Sequence, residues 1–210
     1  MLRLVPWLPP LFHDRADAGR ALAATLAELE FGSPIVVGVA RGGVAVGLEV
    51  ARALAAPLTA VSAKLVDVDG ARLGAVTAGG PAYVVEGRDV PDALVERARR
   101  AADALAAQLD HESLPVAGRD AIVIDDGVIT GLTLASACRW ARVHRAARVT
   151  AAIPVGRSDG LERLRGEADA VVCPHPLDEI AVVGQAYDSF EPLDEWYVAG
   201  LLADATLPPE

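Results

Sequence analysis

Apolar and polar positions alternate along this chain in two rhythms, and the order of those rhythms predicts its architecture. Ala18, Ala21, Leu22, Leu26 and Leu29 recur at helical spacing, and His13 or Asp14 precedes them as a cap, so a helix is expected to about residue 30. Pro34 then opens a short apolar run at 35–39, which reads as a buried strand, and Arg41-Gly42-Gly43 turns the chain into a helix over 44–54. A strand at 58–66 follows. Residues 73–77 and 82–85 read as two short strands joined by Gly79-Gly80, a hairpin signal. Pro91 sits at the first turn of a long amphipathic helix over 92–109. The remainder alternates again: strand 122–124, helix 131–144, strand 149–154, helix 158–165 and strand 170–173, then a tail with an apolar stretch at 180–183 and a last helix over 194–202. Trp196 and Tyr197 on that helix are expected in the core, and His175, between two prolines, as a rigid turn residue.

Strands alternating with helices imply an α/β fold with a mostly parallel central sheet and right-handed crossovers. At 210 residues the chain has room for one such domain. Its expected division is a core over 1–173 and a small C-terminal lid over 174–210, the Pro/His/Asp-rich segment 174–179 marking the entry.

Composition narrows the function. Apolar residues make up 52% and charged residues 23%, a globular balance, whereas aromatics are only 4%, so the core is built from Ala, Val and Leu. No apolar run is long enough for a membrane span, and three prolines interrupt the first ten residues, where a leader would need an apolar stretch; a cytoplasmic location is expected. Cys138 and Cys173 are expected to stay reduced, and no Cys/His cluster has metal-ligand spacing among the scattered His13, His111, His144 and His175. A net charge of −10 argues against nucleic acid as a partner. Arg97, Arg99 and Arg100 are interleaved with acids, and Arg139, Arg142, Arg145 and Arg148 fit an exposed helix face. Of the nineteen Lys and Arg residues only Lys64 is lysine, and its place at a strand end suggests a role that arginine does not fill.

The most specific chemistry lies at 122–133, Ile-Val-Ile-Asp-Asp-Gly-Val-Ile-Thr-Gly-Leu-Thr. A buried strand ends in two carboxylates, Asp125 and Asp126, suited to accept hydrogen bonds from vicinal hydroxyls. Gly127, Val128, Ile129, Thr130, Gly131, Leu132 and Thr133 then form a loop that offers backbone N–H groups, two hydroxyls and the positive end of a helix dipole. A diol a few ångströms from a phosphate, as in a ribose 5-phosphate, fits that layout. Two further strand ends carry candidate chemistry: the Gly-rich turn with Arg41, Gly42 and Gly43, and Lys64. In an open parallel sheet such ends converge on the ligand.

Taken together, these loops resemble type I phosphoribosyltransferases, most nearly a group of uncharacterised bacterial ones. The resemblance runs through Phe12-His13-Asp14-Arg15-Ala16-Asp17-Ala18-Gly19, Arg41-Gly42-Gly43, Lys64, Gly74-Ala75-Val76, the 125–133 loop and Val183-Gly184-Gln185-Ala186-Tyr187-Asp188-Ser189-Phe190, about residues 12–202. It implies a type I phosphoribosyltransferase fold with a C-terminal hood, and transfer of a 5-phosphoribosyl group from 5-phosphoribosyl-1-pyrophosphate (PRPP) to a nitrogen acceptor, usually a nucleobase. It further implies that Asp125 and Asp126 hold the ribose hydroxyls, directly or through Mg2+ and water, that 127–133 wraps the 5-phosphate, and that Arg41 and the backbone of 40–42 hold pyrophosphate, in a turn often carrying a non-proline cis peptide. Lys64 would neutralise the departing pyrophosphate. Tyr187 and Phe190 are candidates to stack on the base, with Asp188 or Glu179 at its edge, or else they plug the lid core. A homodimer is one assembly the resemblance allows.

In one stretch the chain departs from its relatives: only 65–73 bridges Lys64 and the Gly-Ala-Val strand, with Asp67 and Asp69 as the acids. In phosphoribosyltransferases that region supplies the flexible loop that closes over PRPP, and a bridge this short puts PRPP binding ahead of turnover. Two alternatives stay open, a PRPP- or nucleotide-binding regulator without catalysis and a hydrolase of PRPP or a nucleotide. A receiver-like phosphoacceptor domain is disfavoured, because no lysine follows residue 64.

Overall fold

The loops just described meet because of the order in which the strands lie side by side. The computed structural model describes residues 9–109 and 114–205. Its main sheet has seven strands: β1 (Pro34–Ala40), β2 (Leu58–Val68), β3 (Ala71–Thr77), β4 (Ala82–Val84), β5 (Asp120–Ile124), β6 (Arg148–Ala152) and β8 (Ala170–Val172). They lie in the order β4-β3-β2-β1-β5-β6-β8. The five from β2 to β8 are parallel, and β3 and β4 extend the β2 edge antiparallel. Winding reverses between β1 and β5, whose central pair is Val36 against Ile122. Loops that leave the carboxyl ends of these two neighbours therefore diverge and open a crevice.

Alternate residues of the sheet feed two cores. Ile35, Val37, Val39, Val123 and Ala151 face α4 (Leu132–Val143) and α5 (Ser158–Arg165), and Val36, Leu58, Ile122 and Ile124 face α1 (Arg15–Leu26), α2 (Gly42–Ala53), α3 (Asp92–Leu109) and α6 (Glu195–Asp204). β5 is buried on both faces from Ala121 to Ile124, which is why it reads as an unbroken apolar run. Asp14 caps α1 through the Asp17 N–H at 2.8 Å. The helix ends at Leu26 rather than near residue 30, and Leu29 is exposed on the turn that leads to Pro34.

Four expectations change. The bridge over 65–73 is a β-hairpin: β2 runs on to Val68, Asp69 and Gly70 turn with φ of 48° and 82°, and β3 begins at Ala71. Asp-Gly is the dipeptide such a tight turn demands. The lid is not made by the tail alone. A third core joins Phe12 from the N-terminal segment to Val155, Ile180, Ala186 and Tyr187, and the Phe12 and Leu11 N–H groups both bond the Ala186 carbonyl. α6 returns to the main core through Val198 and Leu202, so the tail divides between the two. Trp196 and Tyr197 are 88% and 54% exposed instead of buried. A second small sheet, β7 (Val155–Gly156) with β9 (His175–Pro176), places His175 in a short strand and braces the base of the lid. His111 and residues 1–8 lie outside the described residues. Among the described residues, no helix is long and apolar enough to cross a membrane.

Candidate functional site

Two loops are forced into contact at the crevice. The Ala40–Arg41 peptide is cis, and α2 starts directly after it at Gly42. A Cβ on Gly42 would lie 1.9 Å from the Asp126 Oδ2, and one on Gly43 would lie 2.2 Å from the Ile124 carbonyl oxygen. Only glycine allows the turn after β1 to lie against the end of β5. Arg41 itself reaches away toward α6, where its Nη1 donates to Glu195 Oε1 at 3.0 Å. Glu195 carries no signal in the sequence, because its partner is 154 residues away.

The acidic pair is half-buried, and its two members have different surroundings. Asp126 Oδ2 accepts from Arg15 Nε at 2.8 Å, with the two side chains 15% and 12% exposed. Arg15 in turn lies 3.8 Å over the Phe190 ring and donates to the Glu191 carbonyl at 3.0 Å. Among the described residues Asp125 has no hydrogen-bonded cation; it accepts from the Thr133 hydroxyl and from the Asp126 N–H at 2.9 Å. Burial pushes the Asp125 carboxyl well above the ordinary carboxylate range, and the neighbouring Asp126 charge pushes it further. Burial also raises Asp126, and the Arg15 bond offsets only part of that cost. Sequence reasoning gives Arg15 no role beyond its place in the N-terminal motif; its distance from Asp126 in the chain, 111 residues, hides the pairing.

The loop after β5 is fixed from outside and open on the inside. The Val128 N–H bonds the Val155 carbonyl, the Arg157 N–H bonds the Val128 carbonyl, and Arg163 Nη1 donates to the Thr130 carbonyl at 3.1 Å. Val128 and Leu132 are buried, whereas Ile129, Thr130 and Thr133 remain half-exposed. Gly131 has a φ of 74°, and a Cβ there would lie 2.5 Å from the Gly160 carbonyl oxygen. α4 begins at Leu132, so its first N–H groups have no partner within the helix and remain available to an anion. A cavity of about 210 Å³ follows the loop, with Leu65 and Arg72 of the β2–β3 hairpin on one wall and Ala181, Val182 and Val183 on another.

The crevice thus brings Gly42, Gly43, Asp125, Asp126 and the 127–133 loop together. Lys64 stands on β2 beyond the last β1 pair, Ala40 with Ser62, half-buried and with no ion pair among the described residues. Tyr187 and Phe190 pack in the lid core, the second of the two arrangements expected for them. The Tyr187 ring is buried between Phe12 and Phe190 and its hydroxyl donates to the Asp126 carbonyl at 2.5 Å; Arg15 covers the other side of Phe190. They close the lid core and brace the acidic pair, because a chain this poor in aromatics has few other large rings to fill that core. Among the described residues, no group of three His, Cys, Asp or Glu is placed to hold a metal ion.

The phosphoribosyl transferase domain model matches residues 12–189, and the chain belongs to that family. A Mycobacterium tuberculosis protein named as a phosphoribosyl transferase is 37% identical over 196 residues, covering 86% of this chain; the chain spans 44% of that relative's length. An adenine phosphoribosyltransferase of Mycobacterium marinum is 34% identical over 81% of the chain and 78% of its own length. The crystal structure of the Thermus thermophilus protein TT1426 superposes with a TM-score of 0.80 at 32% identity, covering 92% of this chain and 98% of that one.

The acid pair sets the response of the fold to pH and to loss of its cation. The raised Asp125 pKa means that the native state holds this proton more tightly than the unfolded chain does, so the stability Asp125 contributes is complete at low pH and is lost as pH rises above the ordinary carboxylate range. Asp125→Asn therefore melts higher than the wild type at pH 8, and the gap closes toward pH 5; thermal melts across that range check it. Arg15→Met leaves the Asp126 charge buried and unpaired and lowers unfolding free energy by about 3 kcal/mol, measured by urea denaturation.

Proposed function

We propose that this chain transfers the 5-phosphoribosyl group of PRPP to a nitrogen acceptor, a nucleobase, with release of pyrophosphate. The observation that carries this reading is the meeting of a half-buried carboxylate pair with an open helix N-terminus at one switch point of the sheet. The diol of a ribose donates to Asp125 and Asp126, and its 5-phosphate lies among the N–H groups of 127–133 and the Thr130 and Thr133 hydroxyls. Gly42 and Gly43 let the backbone of the β1 turn approach the same ribose. Arg41 and Lys64 face the diphosphate. The Arg41–Glu195 pair is more than one-third exposed on both sides, and such a pair is weak enough to open for a polyphosphate.

As the C1–O bond lengthens, positive charge grows on the ribose ring and negative charge on the diphosphate. Asp125 and Asp126 lie under the ring and stabilise the first; Lys64 and Arg41 stabilise the second. The nitrogen lone pair of the acceptor then attacks C1 from the opposite face, and the C1 configuration inverts. The lid residues Ala181, Val182 and Val183 meet the acceptor. The adenine specificity carried by the name of the Mycobacterium marinum relative supports a nucleobase as that acceptor.

Asp125 and Asp126 suit Mg2+: they are adjacent, partly desolvated carboxylates, and among the described residues no third acid or histidine joins them in a metal-holding group, which fits an ion that arrives with PRPP rather than one held by the protein alone. When bound, Mg2+ supplies charge neutralisation for the diphosphate. The β2–β3 hairpin, paired along its length, takes the place of a long loop on this wall of the site.

Wild type incubated with Mg2+-PRPP and pooled nucleobases releases pyrophosphate, and release depends on the pool; the Asp125→Asn, Asp126→Asn double variant gives none. Release without any base would identify a hydrolase instead. Lys64→Ala lowers kcat by about a hundredfold with little change in KM for PRPP, because Lys64 acts on charge that develops at the leaving group; steady-state kinetics separate the two.

A further inference from the structure

One cation faces the phosphate loop and has no assigned work. The cavity beside 127–133 is lined by Leu65, Val128, Ile129, Thr130, Val182, Val183 and a few small residues, and among the described residues the sole charged side chain on its wall is Arg72. Arg72 comes from β3, on the opposite side of the cavity from the loop. Its neighbour across the hairpin is Asp67, yet a bulge at Val66/Asp67 interrupts the register, and among the described residues the Arg72 guanidinium has neither an ion pair nor a hydrogen bond. The side chains of Arg88, Arg97, Arg100 and Arg145 are likewise without an ion pair or hydrogen bond among the described residues, but none of them lines this cavity. Arg15, Arg20, Arg41, Arg52, Arg99, Arg139, Arg142, Arg157 and Arg165 are all paired with acids. In a chain of net charge −10, an unpaired arginine next to a phosphate cradle is a strong local source of positive potential.

The cradle itself lacks such a source. Its donors are backbone N–H groups and the Thr130 hydroxyl, the Thr133 hydroxyl being bonded to Asp125. Arg163 is the cation bound to it, and its Nη1 is spent on the outward Thr130 carbonyl. A phosphoryl group in the loop therefore meets neutral donors from below and has one cation available from across the cavity.

Resting on the PRPP reading of the preceding section, we infer that Arg72 is a second arm of the phosphate site: it closes over the 5-phosphoryl group of the ribose ligand from the hairpin side, opposite the 127–133 loop. The planar guanidinium suits a bidentate grip on phosphate oxygens. The β2–β3 hairpin then contributes to substrate binding through one side chain, on β3 just past the Asp69-Gly70 turn.

Titration calorimetry with ribose 5-phosphate as the probe, run in parallel with pyrophosphate, tests this. Arg72 is exposed, so Arg72→Ala and Arg72→Lys keep the fold, which a thermal melt verifies. The expected result is a loss of about tenfold or more in ribose 5-phosphate affinity for Arg72→Ala, a smaller loss for Arg72→Lys, and unchanged pyrophosphate affinity. Salt dependence of ribose 5-phosphate binding falls in Arg72→Ala as well. Equal ribose 5-phosphate affinity in wild type and Arg72→Ala overturns the assignment and leaves the PRPP reading intact, as does a defect confined to the acceptor KM. Equal losses for both probes overturn it too, since the effect is then general attraction of anions. Wild type that binds neither ribose 5-phosphate nor PRPP overturns both readings.

Discussion

The site depends on keeping two adjacent carboxylates at the end of a doubly buried strand. Asp125 and Asp126 follow Ile124, which is fully buried, and water is partly excluded from both. Burying one charge is costly and burying two of like sign side by side is worse. The chain meets that cost in two ways. Arg15 neutralises Asp126 from α1, and Arg15 is itself held by Phe190 and the Glu191 carbonyl. Among the described residues Asp125 has only hydroxyl and amide donors. One carboxylate is thus anchored by a cation, and the other is held by neutral donors.

Much of the remaining architecture serves this arrangement. The N-terminal segment and the tail converge on it: Phe12 and Tyr187 share a core, the Tyr187 hydroxyl holds the Asp126 carbonyl, and the 3-10 turn Val183–Ala186 bonds back to Leu11 and Phe12. Gly42 and Gly43 are needed because the β1 turn has no room for a Cβ against Asp126 and the β5 backbone. α5, through Gly160 and Arg163, presses the 127–133 loop into shape. The lid is accordingly no separate cap. It is the structural support of the acid pair.

What the sequence disclosed and what it hid divide along local and long-range lines. The strand ending in Asp125-Asp126, the Gly-rich turn at Arg41 and the helices over Asp92–Leu109 and Ser158–Arg165 are local patterns, and period and capping residues mark them. The Asp69-Gly70 turn is equally local, and its dipeptide is a readable signal that the bridge over 65–73 is a hairpin and not a loop. For Tyr187 and Phe190 the sequence leaves base stacking and core packing both open, because Phe12, 175 residues earlier than Tyr187, supplies the packing that buries the tyrosine ring. Arg15 to Asp126 and Arg41 to Glu195 are invisible for the same reason: ion pairs between distant segments leave no periodicity. The exposed Trp196 reverses the usual rule for its residue type, and nothing in the structure explains it.

The central claim is that one crevice holds a ribose between the acid pair and a phosphate in the loop that follows it. A crystal structure of this chain grown with Mg2+ and PRPP tests it most directly. The account predicts the ribose 2- and 3-hydroxyls at Asp125 and Asp126, directly or through the ion and water, with the 5-phosphate within hydrogen-bond distance of the N–H groups of 127–133. PRPP seated elsewhere, as in the separate cavity of about 380 Å³ between α1, α2 and α6, or a 5-phosphate turned away from the loop, would contradict it.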